Sequence, residues 1–377
     1  MRRPAPDAAA LAGVFFVSSA ATVQKYGGTG GMLAYLVVLG TITCAGVPAV
    51  PRLRARLSDR QAVTAGAVAL AMLGVLFAIT YPHANRQTPD GGSDRDDGAD
   101  VGARLLIDGK YPYDGRTYFG KRVSQLPGGL VLAAPFVALG KSAYAAFFWL
   151  PVLFILLRAR FREWRTPLLL TLFGLCLAPA LVREVMTGGD LVANGIGVLC
   201  ATWLVLRVRQ PIPSALAALL LGVVLSWRLS FAFALPALFV ALMQLHGTRR
   251  ACTAAVLAVA SFTAITLPFV VHEGRFWPVE ESNDLQRFDG VVAGGGTTVA
   301  VVTGLAAAAA ALFPQRWSET RFLWHATASQ AALVLSVVVL ESFRHATLDF
   351  SPLAPGYGLL ALFFGLAAAR PARWSRT

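Results

Sequence analysis

Residues 61–81 read QAVTAGAVALAMLGVLFAITY, and residues 82–125, PHANRQTPDGGSDRDDGADVGARLLIDGKYPYDGRTYFGKRVSQ, then change character abruptly. The first stretch carries no charge and is long enough for a helix to cross a bilayer core of roughly 30 Å. The second holds seven of the twenty acidic residues, five of them (Asp90, Asp94, Asp96, Asp97 and Asp100) within eleven positions. A third stretch, LPGGLVLAAPFVALG (126–140), is apolar again but is interrupted by Pro127, Pro135 and Gly140. Outside this region the chain is greasy almost throughout. Hydrophobic residues make up 56%, charged residues 14%, and mean hydropathy is +0.61 over 377 residues. A soluble domain of this size cannot bury so much apolar surface, so the solvent for most of the chain is lipid.

The expected fold is therefore all-α and polytopic, because lipid leaves an open chain no other way to satisfy its backbone. Apolar runs place about twelve transmembrane helices at 8–23, 30–49, 61–81, 142–157, 166–182, 191–206, 212–227, 229–245, 251–271, 291–313, 323–340 and 353–369. The reading is one integral membrane domain over 1–377. It comprises an amino-terminal hairpin and basic loop (1–60), an acidic loop with an interfacial helix (82–140), and a helix bundle (141–377). With both termini inside and 126–140 not crossing, the inner segments hold 19 basic and 4 acidic residues, and the outer ones 14 and 16. The resulting +15 and −2 recover the net charge of +13 and follow the positive-inside pattern of a plasma membrane protein. If 126–140 crossed, Arg158, Arg160, Arg162 and Arg165 would fall outside and every later loop would invert. The basic balance thus needs no nucleic-acid partner, and no basic face with interleaved exposed aromatics is present. Cys44, Cys176, Cys200 and Cys252 all fall in spans at unrelated spacings, which gives neither a disulfide framework nor a CxxC metal site.

Chemistry is concentrated in the predicted outer segments. A carboxylate at a membrane surface suits removal of a proton from a hydroxyl. Asp94, Arg95 and Asp96 form an acid-x-acid pattern, in which Asp94 and Asp96 can bind a divalent cation or divide the roles of base and orienting group. Asp94, Asp96 and Asp97 are the catalytic candidates. Asp94, just after the Gly91–Gly92 turn, is favoured as base, and Asp90 and Asp100 are expected to be solvated. Tyr111, Tyr113 and Tyr118 are either headgroup-level anchors or substrate contacts. Arg228 stands alone between two apolar runs, where an arginine needs a partner or an aqueous cavity. It is read either as a phosphate fork or as a snorkelling cap. Arg183, Glu184 and Asp190 are expected to form a local ion pair.

The order of acidic residues after an early span, then LLIDGKYPYDG (105–115), then LPGGLVLAAPFVALG, resembles the first outer loop of GT-C class glycosyltransferases. The similarity is to the bacterial polyprenol-phosphate-mannose-dependent mannosyltransferases. It covers Asp90–Gly140 and rests on Gly109, Pro112 and Tyr113 with Pro127, Gly128, Pro135 and Phe136. The rest of the chain matches only in hydropathy and topology, and the acidic loop follows the third predicted span instead of the first. The resemblance implies an inverting membrane glycosyltransferase of the bacterial cell envelope, with an outer-loop Asp as base. Its donor is a polyprenyl-phosphate-linked sugar such as mannose, and its acceptor a lipid or glycan. The absence of GxxxxGK[ST], or of GxGxxG at a strand–helix junction, disfavours a nucleotide sugar. On this reading Arg228, Arg344 and His345 hold the donor phosphate, and Tyr113, Trp277 and Glu280 meet the acceptor. The competing classes are a transporter or lipid flippase, which should show broken helices or midplane ionisable groups, and a non-catalytic membrane scaffold.

Overall fold

The computed structural model describes residues 5–86, 94, 96–273, 291–313, 316–347, 350 and 357–369. Its longer elements are α1 (Ala5–Arg56), α2 (Asp59–Ala84), α3 (Asp97–Ile107), α4 (Pro127–Ala138), α5 (Ala145–Phe161), α6 (Arg165–Leu177), α7 (Pro179–Met186), α8 (Leu191–Arg207), α9 (Pro211–Leu225), α10 (Leu235–His246), α11 (Thr248–Glu273), α12 (Gly295–Leu312), α13 (Glu319–His345) and α14 (Leu359–Ala368). Single-turn 3-10 segments precede α5 and α10. The only β-type pairing among the described residues is one bridge between Arg116 and Arg122. Among the described residues seven helical stretches are long and apolar enough to cross a membrane, or eight counting α6 and α7, which meet at an 82° bend. The described residues of the twelve predicted spans are largely helical, but α8, α9 and α14 have only 17, 15 and 10 residues.

The predicted amino-terminal hairpin is present inside the continuous α1 assignment. Gly28 takes φ 61°, ψ −163°, a conformation outside the helical region. The Tyr35 hydroxyl donates to the Phe15 carbonyl at 2.9 Å and to that of Leu177 at 2.6 Å. Twenty residues of straight helix would hold Tyr35 roughly 30 Å from Phe15, so the chain doubles back at Gly28. At the next helix, Ser58 and Gln61 form a reciprocal capping box that starts α2.

Helix α14 is buried at every position. This is the expected fate of a helix that is apolar all round at the centre of a bundle. Glycines bring neighbours close to it: a Cβ on Gly195 would lie 2.6 Å from the Phe363 ring, and one on Gly365 2.9 Å from Val14. Such small-residue contacts replace the hydrophobic drive that lipid removes.

Charge contacts divide the molecule into two ends. At one end Arg54 pairs with Glu163, Arg165 with Asp59 and Glu163, and Arg160 and Arg207 with Glu319. All belong to segments predicted on a single side. At that end α2, α9, α11 and α13 begin, and α5 and α8 finish. Helices α2, α11 and α13 have 26, 26 and 27 residues, so they reach about 40 Å from that end. Helices α5, α8 and α9, with 17, 17 and 15 residues, reach only about 22–26 Å. The unequal lengths leave a recess at the opposite end, which α3, α4 and the 187–190 turn occupy.

The chain enters and leaves this insertion at one place. The Ser142 amide donates to Asp100 Oδ1 at 2.7 Å, and the Ser142 hydroxyl to the Asp96 carbonyl at 3.3 Å. Helix α4 therefore belongs to a segment that leaves and rejoins the bundle at one place. It stands over the end of α9, its Gly128 amide donating to Ser226 O at 3.0 Å and Ser226 Oγ at 3.1 Å.

Candidate functional site

The recess gathers three polar segments. The first is the start of α3. Asp96 is 1% exposed. Its Oδ2 accepts a short hydrogen bond from the Tyr81 hydroxyl and a second from Asn85 Nδ2 at 3.1 Å, while Asn85 Nδ2 also reaches the Tyr81 oxygen at 3.0 Å. Its Oδ1 is buried and has no partner among the described residues. Burial lifts the Asp96 carboxyl to about 6, the Tyr81 hydrogen bond pulls it down, and the Asp100 charge adds to the rise.

The neighbouring carboxylates have other roles. Asp97 Oδ2 accepts the Tyr118 amide at 2.7 Å, anchoring the 116–122 loop onto α3. Among the described residues the Asp94 carboxylate accepts only a long contact from Thr117 Oγ1, at 3.4 Å. The Tyr118 hydroxyl is buried and has no hydrogen-bond partner among the described residues. Its acidity is weakened by burial and then by the charges of Asp94, Asp96 and Asp97. Asp100, expected in solvent, instead receives the Ser142 amide and lies 3.9 Å from Lys141 Nζ. Asp90 and Arg95 lie outside the described residues.

The second segment is the turn Gly188–Gly189–Asp190. Gly188 has φ +69°, and a Cβ there would come 2.9 Å from both Tyr81 and Ala143 and 3.1 Å from the Asp96 Cβ. A Cβ on Gly189 would lie 2.0 Å from Glu184 Oε1. Two glycines thus let the backbone pass between Asp96 and Glu184. Glu184 is fully buried and accepts the Leu191 amide at 3.3 Å.

The third segment follows α9. Arg228 Nη2 donates to Asp190 Oδ1 at 2.6 Å, Arg228 Nη1 to the Tyr357 hydroxyl at 3.1 Å, and Trp227 Nε1 to Asp190 Oδ2 at 3.0 Å. The guanidinium also lies 5.4 Å from the centre of the Tyr357 ring. Its Nε is buried and has no partner among the described residues. Arg228 is therefore no snorkelling cap. Of the three residues expected to form a local ion pair within 183–190, Asp190 serves Arg228, and Arg183 Nε donates to the Tyr26 hydroxyl at 3.1 Å.

Asp96 thus packs against Gly188, and the Asp190–Arg228 pair follows two residues along the same turn. Tyr113 does not open onto the recess. That side chain is 1% exposed, its hydroxyl donates to the Gln125 carbonyl at 3.0 Å, and its ring packs edge-on to Phe269 and against Tyr111. A fully covered ring with its hydroxyl engaged is core, and this corrects its expected contact with an acceptor. Arg344 and His345 stand at the rim, in the last turn of α13. His345 Nε2 lies 3.3 Å from Glu341 Oε2. Gln330 Nε2 donates to Ser230 O near the recess floor at 3.1 Å. His345 is fifteen residues, roughly 22 Å, farther along α13, so the structure does not bring this pair to Arg228. Trp277 and Glu280 lie outside the described residues. The acid-x-acid carboxylates of Asp94 and Asp96 have separate partners, and among the described residues no three His, Cys, Asp or Glu side chains converge on a metal position.

Sequence reading missed Tyr81, Asn85 and Gly188, and took Glu184 and Asp190 as members of a local ion pair. The Gly–Gly–Asp triplet between two apolar runs was their one visible signal. Comparison of the chain with protein families, characterised proteins and solved structures found no match.

Proposed function

We propose that this chain is a membrane glycosyltransferase of the GT-C class that moves a sugar from a polyprenyl-phosphate donor to an acceptor hydroxyl within the recess. The supporting observation is Asp96: a buried carboxyl with one oxygen held by Tyr81 and Asn85, the other unpaired, and a proton affinity moved close to neutrality. A base poised near the working pH is what proton removal from a hydroxyl requires. The acceptor proton passes to Asp96 Oδ1 as the acceptor oxygen bonds to the anomeric carbon. The bond from that carbon to the phosphate oxygen breaks, and the lipid phosphate leaves as an anion. A single displacement of this kind inverts the anomeric centre. Arg228, fixed by Asp190 and Tyr357, offers Nε to the phosphate. The positive-inside split supports an outward-facing recess with both termini in the cytoplasm of a bacterial cell, and the loop resemblance favours mannose. Protein in lipid, given radiolabelled polyprenyl-phosphate mannose and a membrane glycolipid extract, should form labelled product. Asp96→Asn at matched amount should lose roughly 10²–10⁴-fold in turnover. Undiminished transfer by that variant removes Asp96 from the mechanism, and absence of transfer with every polyprenyl-phosphate sugar tried removes the enzyme reading.

One feature favours a transporter instead. The 82° break between α6 and α7 resembles the discontinuous helices of transport proteins. Movement of an unaltered sugar lipid between leaflets of a proteoliposome, without transfer, would select that reading.

A further inference from the structure

At the arginine-rich end Arg54, Arg160, Arg165 and Arg207 pair with Glu163, Asp59 or Glu319. Arg209, Arg249 and Arg250 differ in meeting one another: among the described residues no carboxylate forms an ion pair with any of them, and they converge on one space. These three line one cavity of about 370 Å³ with Ser214, His246 and Thr253. The cavity lies where α9 and α11 both begin, at Pro211 and Thr248, so two helix dipoles add positive potential to the three guanidiniums. Arg250 and His246 also hold the end of α8. Arg250 Nη2 donates to Val205 O at 3.2 Å and to Val208 O, and His246 Nε2 lies 2.7 Å from Leu206 O. Arg209 and Arg249 are left exposed with no such task.

Ala254 lines this cavity and also a second one, of about 290 Å³. The second is bounded only by apolar side chains, among them Leu221, Leu238, Phe239, Val259 and Phe262, and it opens outward where Val259 is 64% exposed. A basic chamber at the bundle end, adjoining an apolar groove across Ala254, matches an amphiphile with an anionic head.

We propose that the α9–α11 seam binds an anionic phospholipid, with its phosphate held by Arg209 and Arg249 and an acyl chain in the groove past Ala254. Basic pockets between helices on the cytoplasmic side suit anionic head groups, and the groove selects a lipid over a free phosphate. The site lies at the far end of the bundle from Asp96, so its test does not depend on the glycosyltransferase reading.

Native mass spectrometry of the detergent-purified chain should retain dioleoyl phosphatidylglycerol at least tenfold better than dioleoyl phosphatidylcholine. Inorganic phosphate at equal concentration should not displace it. The double variant Arg209→Gln/Arg249→Gln should lose the preference, and Val259→Trp, which fills the groove mouth, should weaken retention of phosphatidylglycerol. Equal retention of the two lipids by the wild-type chain overturns the proposal without any variant. Displacement by inorganic phosphate, or a preference that survives the double substitution, overturns it as well.

Discussion

Asp96 illustrates how burial selects one carboxylate from a cluster of similar ones. Asp94 and Asp97 lie within two positions of it, yet only Asp96 is enclosed, because α3 turns it toward Tyr81 and Gly188. Its carboxyl is raised from 3.8 to about 6. The stability linked to its proton is therefore full below the lower value and lost as pH rises through the upper one. Thermal unfolding should show Asp96→Asn gaining on the wild type between those two values and holding its advantage above them. As a base, Asp96 acts ionised, so wild-type turnover should climb with pH through about 6. Tyr81→Phe removes a hydrogen bond that favours the ionised form, and its pH–rate profile should move to higher pH. An unmoved profile would show that the titrating group is not Asp96. Arg228 and Asp190 form the other residue-scale unit. Removing either partner leaves the other partly buried and uncompensated, at a cost of about 3–5 kcal/mol. Arg228→Gln and Asp190→Asn should each lower the unfolding temperature, and the double variant should lose less than the two combined. Arg228→Lys should stay folded but use donor poorly, because a point charge replaces a fork; unchanged apparent donor affinity would confine Arg228 to a structural role.

At the scale of elements, two glycines act for different reasons. Gly28 has open space around its missing Cβ, but its backbone angles are closed to L side chains. Gly188 combines a positive φ with three close neighbours. Gly28→Ala should cost about 1–3 kcal/mol through backbone strain and leave donor use intact, since nothing lies within 4 Å of the added Cβ. Gly188→Ala should lower both stability and turnover, because the strain falls between Tyr81 and Asp96. Thermal melts alongside transfer assays separate the two, and equal loss of activity in both would refute the distinction. Helix lengths carry the other element-scale lesson. The short apolar runs at α5, α8 and α9 invite reading as marginal spans, but they are the helices whose early ends make room for the recess.

For the whole molecule, the segregation of contacts to two ends has a direct experimental consequence. In a chain stripped of its native cysteines, a cysteine at Lys110, exposed at the recessed end, should react with an impermeant thiol reagent added to intact cells. One at Ser58, exposed at the arginine-rich end, should react only after the membrane is opened. The reverse pattern would place the recess in the cytoplasm, and labelling of both in intact cells would refute the two-sided arrangement.

The helical membrane class was legible in the chain, and so was the gathering of arginine-rich segments at one end. Each depends on a sum over many residues, in which apolar length and arginine placement act without regard to distant partners. The choice of Asp96 over Asp94 was not legible, nor was the burial of Tyr113 or the pairing of Arg228 with Asp190. These depend on which residues meet across 12 to 92 positions of chain: Tyr113 with Gln125, Arg228 with Asp190, Asp96 with Gly188. In an acidic loop every aspartate has the same local signature. Only packing against the Gly188–Gly189 turn strips one of water and leaves the others paired with amides, hydroxyls or solvent.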